Sequence, residues 1–186
     1  MRCITTFLED IDHEMPNFLT ISVGRQAYKV DGNDGIKVFC SCRELKSVDY
    51  FDDHATKGFL YLEFSDLIAQ DDQIKAKIEE IKASNLPSSL NLEIRKSYYK
   101  IVHQELVQKI KDSVNIRDNI ISSHINNLPK SFSDTGLFVI VIAPIAEGKK
   151  ADVARCIDRW KNAIRCSVPQ GLFHSVAIVP LNEFCS

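Results

Sequence analysis

The sequence predicts an α/β protein with three layers, in which helices flank a mixed central sheet. Three observations favour this class. Short apolar runs separated by turn residues occupy the N-terminal part of the chain. Two long segments with a helical spacing of apolar residues follow, and a strand, helix, strand order ends the chain. Because 186 residues with 45% hydrophobic content can form one core, we expect a single domain over residues 1–186.

Turn residues divide the N-terminal part into predicted antiparallel strands. The cluster of Asp, Gly and Asn at 31–35 supplies the backbone positions with positive φ that tight hairpin turns need. Cys40 and Cys42 are two residues apart in an apolar run, which predicts that both lie on a strand. The predicted strands cover residues 18–23, 28–30, 36–42, 48–51 and 59–65.

After these strands the apolar period changes to that of helices. Isoleucines recur on one predicted helix face from residue 68 to residue 81, and Ser88 or Ser89 is expected to cap the next helix. A later, unbroken apolar run is short enough to be a buried strand. The remaining predicted elements are a helix at 90–114 that continues with a bend over 115–128, a strand at 137–145, a helix at 149–167 and a strand at 175–179 parallel to the preceding one.

The charge balance and the hydropathy of the chain limit its partners. The 23 Lys and Arg residues nearly balance the 25 Asp and Glu residues, so the whole protein does not attract polyanions and any DNA contact requires a local patch. The longest apolar run, Leu137 to Ile145, is shorter than the roughly 20 residues that cross a bilayer. Because Met1 to Met15 is acidic, unlike a signal peptide, we expect a cytoplasmic protein without a membrane partner.

The six cysteines do not have the spacing of a zinc site. Such a site usually needs two close pairs of Cys or His, and Cys40 with Cys42 is the only close pair of cysteines. Free cysteine behaves as a small hydrophobic residue. We therefore interpret the cysteines as reduced, partly buried thiols.

Two carboxylates stand out in the last predicted hairpin. Alternation places Glu63 on one face of its strand with Tyr61 and Ser65, and leaves the other face apolar. If the two strands pair, Asp49 lies beside Glu63, because cross-strand neighbours stand about 4.5 to 5.5 Å apart. Two close carboxylates repel each other unless a proton or a cation lies between them.

The hairpin alone leaves two interpretations of this pair open. In the first, Asp49 and Glu63 hold Mg²⁺, which activates water and stabilises the charge of a phosphate. In the second, Asp49 ends a strand and Glu63 faces solvent on an exposed sheet surface.

The order of the motifs resembles the PD-(D/E)xK, or restriction-endonuclease-like, nuclease superfamily. Its core is an Asp on one strand, a turn, Glu-x-Lys on the next strand, and then a helix. The closer resemblance is to small bacterial members with a Val-Asp-Phe strand, an Ile-Glu-Val-Lys-Asp strand and a later Glu-Leu-x-x-Lys-x-x-Asp-(Ser/Thr) helix. It covers residues 36–181, and the matching segments here are Val48-Asp49-Tyr50, Leu62-Glu63-Phe64-Ser65-Asp66 and Glu105-Leu106-Val107-Gln108-Lys109-Ile110-Lys111-Asp112-Ser113.

The sequence departs from this superfamily at Ser65, which takes the position of the catalytic lysine. In such nucleases that lysine orients or polarises the attacking water and offsets the charge of the phosphate, which a neutral hydroxyl cannot do as strongly. Lys109 is the best substitute that the resemblance implies, since the matching helix carries a lysine there, three residues before Asp112. Lys75 and Lys77 are further candidates. The alternative for Lys109 is a solvated helix residue.

Other polar residues give weaker signals. The superfamily would draw an additional metal-binding acid from an N-terminal cluster, but the sequence does not fix which acid. The histidines show no ligand spacing, so we expect structural or surface roles for them. The acids of the cluster are Glu9, Asp10, Asp12 and Glu14, and the histidines are His13, His54, His103, His124 and His174.

Two functional hypotheses follow from the resemblance. The first is hydrolysis of DNA phosphodiesters with Mg²⁺ or Mn²⁺, in which Asp49 and Glu63 hold the metal, Lys109 replaces the missing lysine and Ser65 hydrogen-bonds the water. The second is a catalytically inactive, nuclease-derived module that binds a protein partner as an inhibitor, immunity protein or regulatory subunit. The missing lysine and the slightly acidic charge favour the second hypothesis, whereas the two retained carboxylates favour the first.

Overall fold

The protein is an α/β structure built on a mixed sheet of six strands. The computed structural model describes residues 1–185, without the side chains of Tyr99 and Val102. The sheet has the order β2-β3-β4-β5-β7-β8, and β1 pairs separately with β6. The strands are β1 (Arg2–Cys3), β2 (Leu8–Asp10), β3 (Gln26–Lys29), β4 (Tyr50–His54), β5 (Gly58–Phe64), β6 (Ile125–Asn126), β7 (Leu137–Ile142) and β8 (Val176–Pro180).

The three long helices lie where the apolar spacing predicts helices, at 68–81, 90–114 and 149–167. The predicted bend after the long helix is a π-helical turn at Ile116–Ile120. No helix within residues 1–185 is both long and apolar enough to cross a membrane. The helices are α1 (Ile36–Phe39), α2 (Leu67–Ala83), α3 (Ser88–Asn115), α4 (Ile121–His124), α5 (Lys150–Cys166) and α6 (Leu181–Phe184), and short 3-10 turns lie at Ile4–Phe7, Lys130–Ser133 and Glu147–Lys149.

Strand direction changes at β5. The pairs β2–β3, β3–β4 and β4–β5 are antiparallel. In contrast, β7 is parallel to both β5 and β8. The parallel pair that the strand, helix, strand order predicts is therefore confirmed. Val139 and Ile140 of β7 are buried in different core clusters, one on each side of the sheet. This places β7 as a central strand, because an apolar run needs cover on both faces.

Both faces of the sheet are covered. On one face, Leu67 of α2, Ile110 of α3 and Trp160 of α5 belong to the same core cluster as Tyr61 of β5. On the other face, Leu60 and Leu62 share a cluster with residues of the irregular segment 11–23 and of α6. The arrangement is compatible with three layers, and the face with α3 is the one onto which Glu63 projects.

Two predicted strands are wrong. Residues 18–23 are irregular, with a turn at 19–20, and residues 36–42 form α1 followed by a turn, so Cys40 and Cys42 do not lie on a strand. Short apolar runs fit either period, and here Ile36 and Cys40 point together into the core, as helical spacing allows. The strand β2 was not predicted, because its acidic residues lie at the edge of the sheet, where one face is open to solvent.

Candidate active site

Asp49 and Glu63 lie side by side at the end of the β4–β5 hairpin. Tyr50 pairs with Leu62 in the antiparallel register. The next position along this register places Asp49 opposite Glu63, and both side chains lie on the same side of the sheet. The backbone N–H of Phe64 donates to Asp49 Oδ2 at 2.7 Å and holds that carboxylate against β5. The predicted juxtaposition of the two acids is therefore present in the structure.

Glu63 is buried rather than exposed on the sheet surface. Only 3% of the residue is accessible, so the solvent-facing interpretation of this carboxylate is wrong. Its Oε1 accepts a hydrogen bond from Lys109 Nζ at 2.6 Å, whereas its buried Oε2 has no hydrogen-bond partner among the described residues. A buried carboxylate oxygen without a donor is costly unless a proton or a ligand satisfies it.

Lys109 is the cation of this site. Its side chain is 16% exposed and reaches Glu63 from α3, so Lys109 is not a solvated helix residue. Although burial lowers the pKa of Lys109, the carboxylates of Glu63 and Asp49 raise it above its usual value overall. Lys109 therefore stays charged while it is paired with the two acids.

The same helix also fixes the chain that leads to Asp49. The backbone N–H of Lys46 donates to Asp112 Oδ2 at 3.0 Å, and that of Val48 donates to Ser113 Oγ at 2.9 Å. These two bonds explain why an Asp-Ser pair follows Lys109 at this spacing. Asp112 and Ser113 position the segment before Asp49, while Lys109, one turn earlier, contacts Glu63.

The environment favours the neutral forms of both acids. Burial, and then the charge of Asp49, raise the pKa of Glu63 well above its usual value, although Lys109 opposes the shift. Burial also raises the pKa of Asp49 to about 6, while Lys109 and the Phe64 N–H lower it. The pair therefore retains a proton to a higher pH than solvated carboxylates would, unless a second cation enters.

Two adjoining clefts open onto the carboxylates. The larger has a volume of about 340 Å³ and contains Glu63, Ser65 and Lys109 on its wall, while the smaller, of about 290 Å³, contains Asp49. His13 and Glu14 line both clefts. The two acids therefore lie at the junction of a continuous polar opening.

Glu14 is the acid of the N-terminal cluster that borders both clefts. Its backbone is in the left-handed region with φ 50°, and its N–H donates to Asp12 Oδ1 at 3.1 Å. Buried His13 holds the loop in place, since its Nδ1 accepts from the Met15 N–H at 3.0 Å and its Nε2 lies 2.8 Å from the carbonyl of Ile21. The charge of Glu14 contributes to the raised pKa of Asp49, whose largest cause is burial.

Glu9 and Asp10 lie at the edge of the sheet, whereas Asp12 lines the smaller cleft beside Glu14. Glu9 forms an ion pair with Lys29 at 3.2 Å, and Asp10 accepts from Gln26 Nε2 at 3.1 Å. Neither residue lines the clefts around Asp49 and Glu63. The resemblance to nucleases does not distinguish among these acids, whereas their contacts do.

Ser65 lies in the larger cleft, but the alternative lysines do not. Ser65 Oγ accepts from Gln70 Nε2 at 3.2 Å, which fixes the hydroxyl beside Glu63. Lys75 is paired with Asp71 at 2.8 Å, and Lys77 with Glu80, both along α2. Of the three candidate lysines, Lys109 alone contacts the carboxylate pair.

Sequence reasoning did not identify Asp31 as part of this region. Asp31 lines the smaller cleft, lies close enough to Asp49 to contribute to its raised pKa, and pairs with Lys37 at 2.5 Å. Its place in a Gly-rich turn predicts only a turn residue. The pairing of β3 with β4 brings Asp31 near the site. These strands are distant in sequence, so no local sequence pattern predicts that they pair.

The donor set is small for a metal ion. Among the described residues, no group of three or more His, Cys, Asp or Glu side chains is arranged to hold one. Mg²⁺, however, is usually held by one or two carboxylates together with waters and substrate phosphates. Asp49 and the unpartnered Glu63 Oε2 fit that smaller requirement.

The arrangement combines three chemical elements in one opening. A buried pair of acids can hold a cation, a charged lysine can offset the charge of an anionic substrate, and a fixed hydroxyl can hydrogen-bond a water. Glu63, Ser65 and Lys109 line the larger cleft, and Asp49 lines the smaller one beside it. No protein-family model, curated protein or solved structure matches the chain.

Proposed function

We propose that this protein hydrolyses DNA phosphodiesters with a divalent metal ion, in the manner of the PD-(D/E)xK nucleases. The observation that carries the proposal is the contact of 2.6 Å between Lys109 Nζ and Glu63 Oε1 within a buried pair of acids. Such nucleases need two carboxylates and one lysine, and here the lysine comes from α3 instead of β5. The position of Ser65 is then no obstacle to catalysis.

The topology also supports this proposal. Strands β3, β4 and β5 form an antiparallel meander, and after two helices the chain returns as β7, parallel to β5. The superfamily places its Asp and its Glu on two consecutive antiparallel strands followed by a helix. Here Glu63 lies on β5, Asp49 directly precedes β4, the antiparallel partner of β5, and α2 follows β5.

The residues divide the work as follows. Asp49 and Glu63 Oε2 would hold Mg²⁺ or Mn²⁺, which supplies a polarised water and a positive charge next to the phosphate. Lys109 Nζ offsets the second negative charge that develops on the phosphate in the transition state. Ser65 Oγ, which Gln70 holds in place, forms a hydrogen bond with the attacking water. Loading the metal requires Glu63 to lose its proton.

A second candidate function is supported by the same contact. Lys109, together with one proton retained by the two acids, balances the charge of the pair, so the site can be neutral without a second cation. A protein with this site would bind a partner through the clefts without hydrolysing anything. In that case Ser65→Lys, which restores the lysine of the motif, is expected to create metal-dependent cleavage that the wild type lacks.

The test is cleavage of single-stranded and plasmid DNA by the purified protein with Mg²⁺ or Mn²⁺. Glu63→Gln and Lys109→Met are expected to abolish cleavage while the circular dichroism spectrum stays native. Lys150→Met, on the exposed start of α5 far along the chain from the site, is the matched control and keeps full activity. An inert wild type would contradict the proposal, and cleavage that survives Glu63→Gln would place the active site elsewhere.

A further inference from the structure

The two edges of the six-stranded sheet differ in how well they are protected against pairing with another chain. The edge strand β2 is three residues long and carries Glu9 and Asp10, whereas β8 at the other edge has five residues. Residues 175–181, Ser-Val-Ala-Ile-Val-Pro-Leu, contain no charged side chain. Short length and charge are features that keep an edge strand from pairing. The edge at β8 has neither protection.

The hydrogen bonds between β8 and β7 show which peptide groups of β8 face outward. The Phe138 N–H donates to the Ser175 carbonyl at 3.0 Å, and the ladder that follows is parallel. In a parallel ladder, alternate residues bond to the same neighbouring strand, so Ala177 directs its peptide groups to β7. Those of Val176 and Ile178 point away from the sheet, and no group of the described residues forms a hydrogen bond with them.

The side chains of β8 leave apolar surface beside this open edge. Val176 and Ile178 are buried on the face that the long helices cover. Ala177 and Val179 are only half-buried on the other face. An added strand would cover the remaining surface of both residues and would satisfy the outward N–H and C=O groups, which need partners wherever water is displaced.

A second copy of this chain fits the edge, because the pattern of outward groups is self-complementary. In antiparallel pairing about a two-fold axis at Ala177, Val176 of one copy lies opposite Ile178 of the other. Four hydrogen bonds then form, and they satisfy every outward N–H and C=O of these two residues. Pro180, which has no N–H to donate, falls outside the paired region.

The helical layer adds to the contact between two copies. The helix α5 packs on β8, and its Trp160 shares a core cluster with Ile140 of β7. Strands of a sheet are about 4.8 Å apart, so two helices that each cover one β7–β8 pair stand about 10 Å apart, which is the separation of packed helices. A single added peptide strand would lack this second contact, which favours a second copy as the occupant.

We propose that two copies of this chain associate through β8 into a dimer with one continuous sheet. The inference does not rest on the proposed hydrolysis, because the clefts around Asp49 and Glu63 are formed by other elements. The paired strands are short, so the dimer is weak, with a Kd of about 10 to 100 µM. The chain is therefore a monomer at low concentration and a dimer at high concentration.

The experiment is sedimentation equilibrium of the full chain from about 5 µM to about 500 µM, over which the wild type is expected to double its mass. Ala177→Lys and Ala177→Glu each place like charges against each other at the two-fold axis, so each variant is expected to stay monomeric. Their equimolar mixture pairs opposite charges and is expected to form a dimer. The matched control is Ala83→Lys, at an exposed position at the end of α2, which dimerises like the wild type.

Hydrogen exchange of the wild type is a second measurement, which decides the matter even if the variants unfold. The amides of Val176 and Ile178 are expected to exchange more slowly as protein concentration rises, while the Ala177 amide, bonded to β7, is slow throughout. Protection that does not depend on concentration would show that one chain covers its own edge and would overturn the proposal.

Three results of the sedimentation experiment would also overturn the proposal. The first is a wild type that stays monomeric up to about 500 µM. The second is a pair of folded Ala177 variants that dimerise like the wild type, since the contact would then lie elsewhere. The third is a mixture of the folded Lys and Glu variants that stays monomeric.

Discussion

Lys109 and Glu63 are 46 residues apart in sequence, and their side chains meet at 2.6 Å beneath the polar clefts. The ammonium lies against one oxygen of the carboxylate, and the other, Oε2, is buried with no hydrogen-bond partner in the part of the chain that the structure describes. This contact joins the long helix α3 to the strand that carries Glu63.

The first prediction concerns the free energy of unfolding after the lysine is removed. Lys109→Met should lower it by about 1–3 kcal/mol, less than the loss of a fully ionised buried pair, because Glu63 can take up a proton. The double variant Glu63→Gln, Lys109→Met should be less destabilised than the sum of the single variants. Urea denaturation of the four proteins measures this coupling, and additive effects would show that the contact contributes nothing.

The second prediction concerns the pH dependence of stability. A carboxyl group whose pKa is higher in the folded than in the unfolded state binds more protons when folded, so its contribution to stability falls as pH rises between the two values. For Asp49 this window runs from 3.8 to about 6, and for Glu63 it extends upward from 4.5. Wild-type stability relative to Glu63→Gln should therefore decrease with rising pH in this range. A rising or constant difference would mean that Glu63 is ionised in the free protein.

The third prediction concerns the hydrogen bond that supports Asp49. Ser113→Ala should cost about 1–3 kcal/mol, because the buried N–H of Val48 loses its acceptor. It should also slow the proposed cleavage, since the segment before Asp49 is no longer held at that point. Asp112→Ala, at a half-buried position, should cost less. Thermal denaturation and cleavage rates check both variants, and an unaffected Ser113→Ala would remove the support that we assign to α3.

The fourth prediction concerns the centre of the sheet. Val139 and Val141 are buried on the same face of β7, so Val139→Asp or Val141→Asp should unfold the protein by placing an unpaired charge in the core. Val141→Ala leaves only a small cavity and should keep the native fold. Circular dichroism and size-exclusion chromatography measure the outcome. Soluble, native-like Asp variants at both positions would show that β7 is not central.

The parts of the fold with a long, regular pattern are the parts that the sequence predicts. The alternation around Glu63 and the helical spacing through Lys109 identify β5 and α3, and the unbroken run around Val139 identifies β7. The predicted strands at 18–23 and 36–42 are wrong because an apolar run of this length fits a helix or an irregular segment as well as a strand.

The site was predictable only in part for a related reason. Asp49 and Glu63 are brought together by a local hairpin, which their spacing predicts. Glu14 and Asp31 reach the same clefts through loops whose paths depend on contacts between distant segments. The pairing of Lys109 with Glu63 depends on how α3 packs on the sheet. The helix motif therefore predicts that Lys109 belongs to the site, but it does not predict which group Lys109 contacts.

The most direct test of the metal site is a comparison of Mn²⁺ binding by the wild type and by Glu63→Gln. Binding is measured by electron paramagnetic resonance in the presence of uncleavable phosphorothioate DNA. The donor set of Asp49, Glu63 Oε2 and a substrate phosphate predicts saturable binding at the active site of the wild type, with loss of that binding in Glu63→Gln. Lys150→Met should bind like the wild type. No saturable binding by the wild type, or equal binding by Glu63→Gln, would contradict the assignment of Asp49 and Glu63 as metal ligands.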